Sequence, residues 1–86
     1  MIVSFYGSVQ QYTSDEKTFD AGDAESIRAL IDRLGGNYGE RFMDFLLGDN
    51  TCFFLVNGKG ILTTGGLDTP LRPGDAVELL PFVDGG

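Results

Sequence analysis

Leu71-Arg72-Pro73-Gly74-Asp75-Ala76-Val77-Glu78-Leu79-Leu80-Pro81-Phe82-Val83-Asp84-Gly85-Gly86 is the stretch that orders everything before it. Pro73-Gly74-Asp75 has the composition of a tight turn, and Ala76 to Leu80 alternates in the manner of a strand with one buried face. Pro81 lacks the N–H a sheet ladder needs, so it is expected to stop that strand. Beyond it the chain reaches Gly85-Gly86, two residues without Cβ, the slimmest tail a polypeptide can present to a narrow channel. The functional reading is a terminal carboxylate delivered into another protein's active site; the bland alternative is a frayed, solvated end. We therefore divide the chain into a folded domain over 1–81 and a flexible tail over 82–86.

Working back toward the N-terminus, Cys52 to Val56 is a continuous apolar run of strand length, and Asn57-Gly58 is a hairpin turn signal leading into Ile61 and Leu62, read as the central hairpin. Thr63 to Arg72 reads as loop. Ile2 to Tyr6 is a first strand, and Lys17-Thr18-Phe19 its hairpin partner. Asp23 is a plausible helix N-cap, and Ile27, Leu30, Ile31 and Leu34 repeat at i, i+3, i+4 and i+7, one apolar helix face that Gly35-Gly36 should end. Tyr38 to Leu47, closed by Gly48, reads as a short second helix. The order β-β-α-(α)-β-β-β is an α+β pattern in which a helix covers one face of a mixed sheet. With the last strand placed beside the first in parallel, that is a β-grasp arrangement.

Composition limits what such a domain can do. Eighty-six residues, 42% of them hydrophobic, suffice for one modest core. Thirteen acidic residues against six basic ones give a formal charge of -7, which disfavours nucleic-acid phosphates and anionic membranes and favours a partner with a basic surface. With no histidine, the usual general base and the commonest metal ligand are missing. The single cysteine, Cys52, cannot form an internal disulfide and reads as a small core residue. Without a membrane-length run or a charged leader before an apolar stretch, a soluble cytoplasmic protein is expected.

Leu55-Val56-Asn57-Gly58, the stretch from Leu71 to Gly86, and Phe5-Tyr6-Gly7-Ser8-Val9 together resemble the ubiquitin-like β-grasp sulfur carriers, above all the small subunit of molybdopterin synthase. Tyr38 to Leu47 is the extra segment that separates the molybdopterin branch from the shorter thiamine-pathway carriers. One departure is visible, since that branch usually has two prolines before its penultimate valine and Phe82 stands here at the second. The resemblance implies that Gly86 is adenylated by a ubiquitin-activating-type adenylyltransferase, with Gly85 threading its channel. A sulfur donor protein then displaces AMP to leave a thiocarboxylate. In the molybdopterin branch that sulfur passes to a pterin precursor on the large synthase subunit. The partner binds ATP, because this chain has no phosphate-binding loop, and no cofactor or metal is expected on the chain itself.

Alternation within the strands puts Val3, Phe5, Val77 and Leu79 toward the helix, leaving Tyr6 and Leu80 outward on neighbouring strands. Tyr6, Leu80, Phe82 and Val83 are therefore the expected partner-binding residues, extended by Phe53 or Leu55 and by Ile61 or Leu62. Asp68, Asp75, Glu78 and Asp84 share the C-terminal third and could steer the tail toward a basic channel, although Asp75 is better read as bracing its turn. Other readings use the same chain: a ubiquitin-like modifier joined to lysines through Gly86, a sulfur carrier for another pathway such as thiamine, and a scaffold module with an inert tail.

Overall fold

The computed structural model describes residues 1–48 and 51–82. Five strands, β1 (Ile2–Phe5), β2 (Thr18–Asp20), β3 (Cys52–Val56), β4 (Lys59–Gly60) and β5 (Ala76–Pro81), form one mixed sheet in the order β2-β1-β5-β3-β4. Two helices, α1 (Ile27–Tyr38) and α2 (Glu40–Leu47), complete an α+β, ubiquitin-like β-grasp fold. The last strand is central. β5 lies parallel to β1, with Val3 opposite Val77 and Phe5 opposite Leu79, and antiparallel to β3, with Phe54 opposite Leu79. The side chains of Val3, Phe5, Val77, Leu79 and Phe54 are buried with Ile27, Leu30, Ile31 and Leu34 of α1, so one face of the sheet and the apolar stripe of the helix make one core.

Four local expectations are corrected. The N-cap of α1 is Ser26, whose Oγ accepts the Ala29 N–H at 3.1 Å, while Asp23 instead pairs with Arg33 at 2.7 Å. The chain is tied in extended form before the helix: Ile27 donates to the Thr69 carbonyl and Leu71 to the Glu25 carbonyl, at 3.1 and 2.9 Å, so helical backbone cannot begin at residue 23. The Asn57-Gly58 turn is present, both residues at positive φ as a tight hairpin requires. Its second arm, however, is only Lys59–Gly60 at the sheet edge, and Ile61–Thr63 is a 3-10 turn that buries Ile61.

Pro81 does not stop β5 but is its last residue, opposite Cys52. Asn57 donates to the Ala76 carbonyl at 2.8 Å and Phe82 to the Thr51 carbonyl at 3.2 Å, which makes Cys52–Pro81 a non-hydrogen-bonded pair of the antiparallel ladder. The missing N–H therefore leaves no gap in the β3–β5 ladder, and on the β1 side the Tyr6 carbonyl accepts from the Val9 N–H at 3.2 Å.

Gly35-Gly36 does not end α1, which continues to Tyr38 and stops at Gly39, with φ at +107° and its N–H on the Gly35 carbonyl at 2.8 Å. Two interior glycines oppose a helix by about 1 kcal/mol each, and packing overrides them. Tyr38 meets Phe5 and Phe42 edge-on with ring centroids 5.7 Å away in each case, and Phe42 is fully buried. Gly35 also has a positive reason to be there, since α2 crosses directly over it. A Cβ at position 35 would sit 3.1 Å from the Met43 Cβ and closer still to Met43 Cε, whereas one at Gly36 meets nothing within 4 Å.

The two glycines should therefore respond to alanine with opposite signs. Gly36→Ala should stabilise by about 0.5–1 kcal/mol through helix propensity. Gly35→Ala should destabilise by about 1 kcal/mol, because forcing α2 aside outweighs the same gain. Denaturant melts of both variants check this; equal shifts would mean that α2 does not pack on Gly35.

Candidate functional site: the open sheet face at the end of β5

With one face of the sheet committed to the core, the other carries what β1, β5 and β3 turn outward. Tyr6, just past β1, is 42% exposed, and its hydroxyl donates to Glu78 Oε2 at 3.0 Å, which lays the ring across β5. The Tyr6 N–H donates to the Leu79 carbonyl at 3.0 Å, continuing the β1–β5 pairing into this residue. Leu80 is half-buried and lies opposite Phe53, and Leu55 lies opposite Glu78 on the same face. Phe53 is 42% and Phe82 37% exposed, and their ring centroids are 4.8 Å apart. An exposed apolar group of this size at one end of a sheet is the usual signature of a contact surface.

The structure thus brings together three of the four residues singled out for partner binding, Tyr6, Leu80 and Phe82; Val83, with Asp84, Gly85 and Gly86, lies outside the described residues. The Phe53-or-Leu55 choice resolves to both, two apart on one face, with Phe53 the more exposed. The second choice resolves to Leu62, 88% exposed, since Ile61 is core. Leu62, Phe53 and Phe82 line one shallow groove with Leu47 at the end of α2. The sequence alone missed the Phe53–Phe82 contact and Leu47, because a continuous apolar run carries no alternation and only pairing with β5 assigns its faces.

The acidic residues of the C-terminal third do not form one cluster. Asp68 pairs with Arg28 at 3.2 Å. Asp75 braces the turn, as its bland reading held: Oδ1 accepts from Asn57 Nδ2 at 3.0 Å and Oδ2 from the Arg72 N–H at 2.9 Å. Those bonds, the Asn57 amide first, hold its carboxyl below the usual range. Glu78 alone of the described three stands on the open face.

Cys52, at the start of β3, is a free thiol that burial pushes up to about 11. At neutral pH it is therefore almost wholly protonated and a poor nucleophile. Alkylation by iodoacetamide at pH 7.5, followed by intact mass, should run at least tenfold slower in the native protein than in 6 M guanidinium, where the thiol returns to about 8.5. Equal rates would mean that the thiol is free to react.

A family model for the ThiS family matches residues 3–86, nearly the whole chain and inclusive of Gly85-Gly86. The chain belongs to the ThiS family. Its members of this kind are ubiquitin-like sulfur carriers, and the β-grasp topology agrees. Sulfur carrier protein CysO of Mycobacterium tuberculosis strain H37Rv is 32% identical over a 90-position alignment covering 98% of this chain and 96% of the relative. The crystal structure of M. tuberculosis CysO superposes with a TM-score of 0.82 at 26% identity, over 95% of this chain and 98% of the other. A chain of the complex of subunits 1 and 2 of molybdopterin-converting factor from Helicobacter pylori gives a TM-score of 0.56 at 30% identity, over 99% of this chain and 96% of that one. Among the described residues of this ThiS-family chain, no helix is long and apolar enough to cross a membrane.

Proposed function

We propose that this sulfur carrier works through Gly86: its carboxylate, as the terminal group, is activated as an acyl-adenylate by a partner and converted to a thiocarboxylate. The supporting observation is a family match that extends through Gly85-Gly86, combined with a central strand that ends beside an exposed apolar face. The chemistry requires a partner. A carboxylate resists nucleophiles, so it attacks the α-phosphate of ATP, releasing pyrophosphate, and sulfide-level sulfur from a donor protein then attacks the acyl carbon, forming the C–S bond as the C–O bond to AMP breaks. The partner, a ubiquitin-activating-type adenylyltransferase, binds the ATP; this chain supplies the tail and the docking face of Tyr6, Leu80, Phe82 and Val83. The domain over 1–81 serves as the handle and 82–86 as the part delivered, in the cytoplasm.

Two destinations for the sulfur divide the comparisons. The 32% identity to mycobacterial CysO supports a carrier of that type. The 30% identity to a chain of the H. pylori molybdopterin-converting factor complex of subunits 1 and 2 supports donation to a molybdopterin precursor on a large synthase subunit. We take the carrier of CysO type as the leading reading, because fold and sequence both agree across the whole chain. Intact mass spectrometry of the protein from its native host tests the carrier function: replacement of one oxygen by sulfur at Gly86 is expected. Isopeptide remnants ending in Gly85-Gly86 on lysines of other proteins, with no thiocarboxylate, would establish a modifier instead. Pull-down of a large synthase subunit with the loaded carrier would transfer the reading to molybdopterin.

A further inference from the structure

At the other end of β5 a groove of about 470 Å³ lies between the β3–β4 hairpin and the segment Thr64–Arg72. Its lining includes two of the six cationic side chains of a chain with net charge -7, Lys59 and Arg72. Both are exposed, and among the described residues neither makes an ion pair, whereas Arg28 and Arg33 are paired with Asp68 and Asp23. The groove's one carboxylate, Asp75, already accepts from Asn57 and from the Arg72 backbone with its two oxygens. The floor is uncharged. Thr69, 3% exposed, shares a hydrogen bond with Thr64 between hydroxyl oxygens 3.1 Å apart, beside Pro70 and Val56.

We propose that this groove docks an acidic, extended peptide segment of a partner protein. Charge complementarity identifies the occupant: Lys59 and Arg72 line one groove together, while Lys17 and Arg41 lie singly in separate depressions, and the groove's single carboxylate, Asp75, acts on Arg72 but leaves Lys59 without an opposite charge, so an acidic segment meets two cations side by side here. The groove is open and larger than a compact anion needs, and it borders the edge strand β4, where an extended chain fits without disturbing the sheet. It also leaves the tail free. Five residues of β5 lie between Asp75 at its rim and Pro81, which is roughly 20 Å from one to the other along the strand, so a partner can hold the carrier here while the C-terminal end is engaged elsewhere. The inference does not depend on the sulfur chemistry.

The test is titration of the ¹⁵N-labelled protein with acetylated hexaglutamate at low ionic strength, read by NMR. Saturable shifts are expected at the amides of Asn57, Lys59, Thr64, Thr69 and Arg72, weakening with added salt. The double variant Lys59→Gln, Arg72→Gln should bind at least tenfold more weakly. Lys17→Gln with Arg41→Gln, the same charge change at two cations in separate depressions, should bind within twofold of the parent. Lys59→Gln alone, an exposed edge residue, should weaken binding about threefold and keeps the test open if the double variant folds poorly. Absence of saturation, equal losses in the two doubles, or the same shifts with inorganic phosphate at equal affinity would overturn a peptide site.

Discussion

Deletion of Gly86 is expected to abolish sulfur loading while leaving the thermal melt unchanged. The described core is complete without it: every buried apolar residue lies between Val3 and Leu79, and no described strand extends past Pro81. A glycine has no side chain to bury, so its removal is expected to cost little stability. What it removes is the carboxylate at the position that a partner must adenylate. Gly85→Val should have nearly the same effect for a different reason, since a β-branched side chain widens the tail and restricts its backbone. The measurement is pyrophosphate exchange with the cognate activating enzyme, alongside intact mass after a sulfur-loading reaction. A loss of at least a hundredfold in both variants is expected, equivalent to about 2.8 kcal/mol. Normal loading of either would sink the assignment of the tail as the working part.

Leu80→Asp is expected to weaken binding to the activating or accepting partner at least tenfold while the domain stays folded. Leu80 sits on the open face across from Phe53, between Tyr6 with its Glu78 contact and the Phe53–Phe82 pair. An aspartate there would carry an unpaired charge into a desolvated contact, a penalty of about 2–5 kcal/mol. Leu79, one residue earlier, is fully buried against β1 and β3. Leu79→Asp should unfold the chain, and this contrast makes the experiment decisive, because adjacent strand residues face opposite sides. Titration calorimetry with the partner and circular dichroism of both variants give the result. A folded Leu80→Asp with parental affinity would remove this face from the interface; an unfolded one would reverse the register.

Much of this was legible before any coordinates, and the reason differs by segment. Alternation in Ile2 to Tyr6 and Ala76 to Leu80 fixes which residues face the helix once the two strands are adjacent, so the outward positions of Tyr6 and Leu80 followed from pattern together with the β-grasp pairing, which the structure has. The helix face was equally plain, as Ile27, Leu30, Ile31 and Leu34 are all buried. The misread boundaries are the ones decided by distant contacts. Gly35-Gly36 looks like a stop until α2 is found crossing over Gly35, and Asp23 looks like a cap until the Thr69–Leu71 segment is found holding residues 25–27 extended. The short β4 was hidden for a similar reason: Ile61 is apolar because it enters the core from a 3-10 turn, and pattern cannot tell that from a strand residue. Around the groove with Lys59 and Arg72, no motif announced the site, because loop and hairpin meet there only in three dimensions.

The position of β5 also has a mechanical consequence. The strand that leads toward the tail lies between two neighbours, β1 in parallel along Ala76 to Leu79 and β3 in antiparallel along Val77 to Pro81. The chain enters β1 and leaves β5 at opposite ends of two parallel neighbours, so tension between the N-terminus and the tail loads their ladder in shear. Under that geometry the hydrogen bonds share the force and must fail together, whereas an edge strand peeled from its tip would lose them one at a time. A partner that pulls on the end of this molecule therefore pulls against the most force-resistant part of the fold.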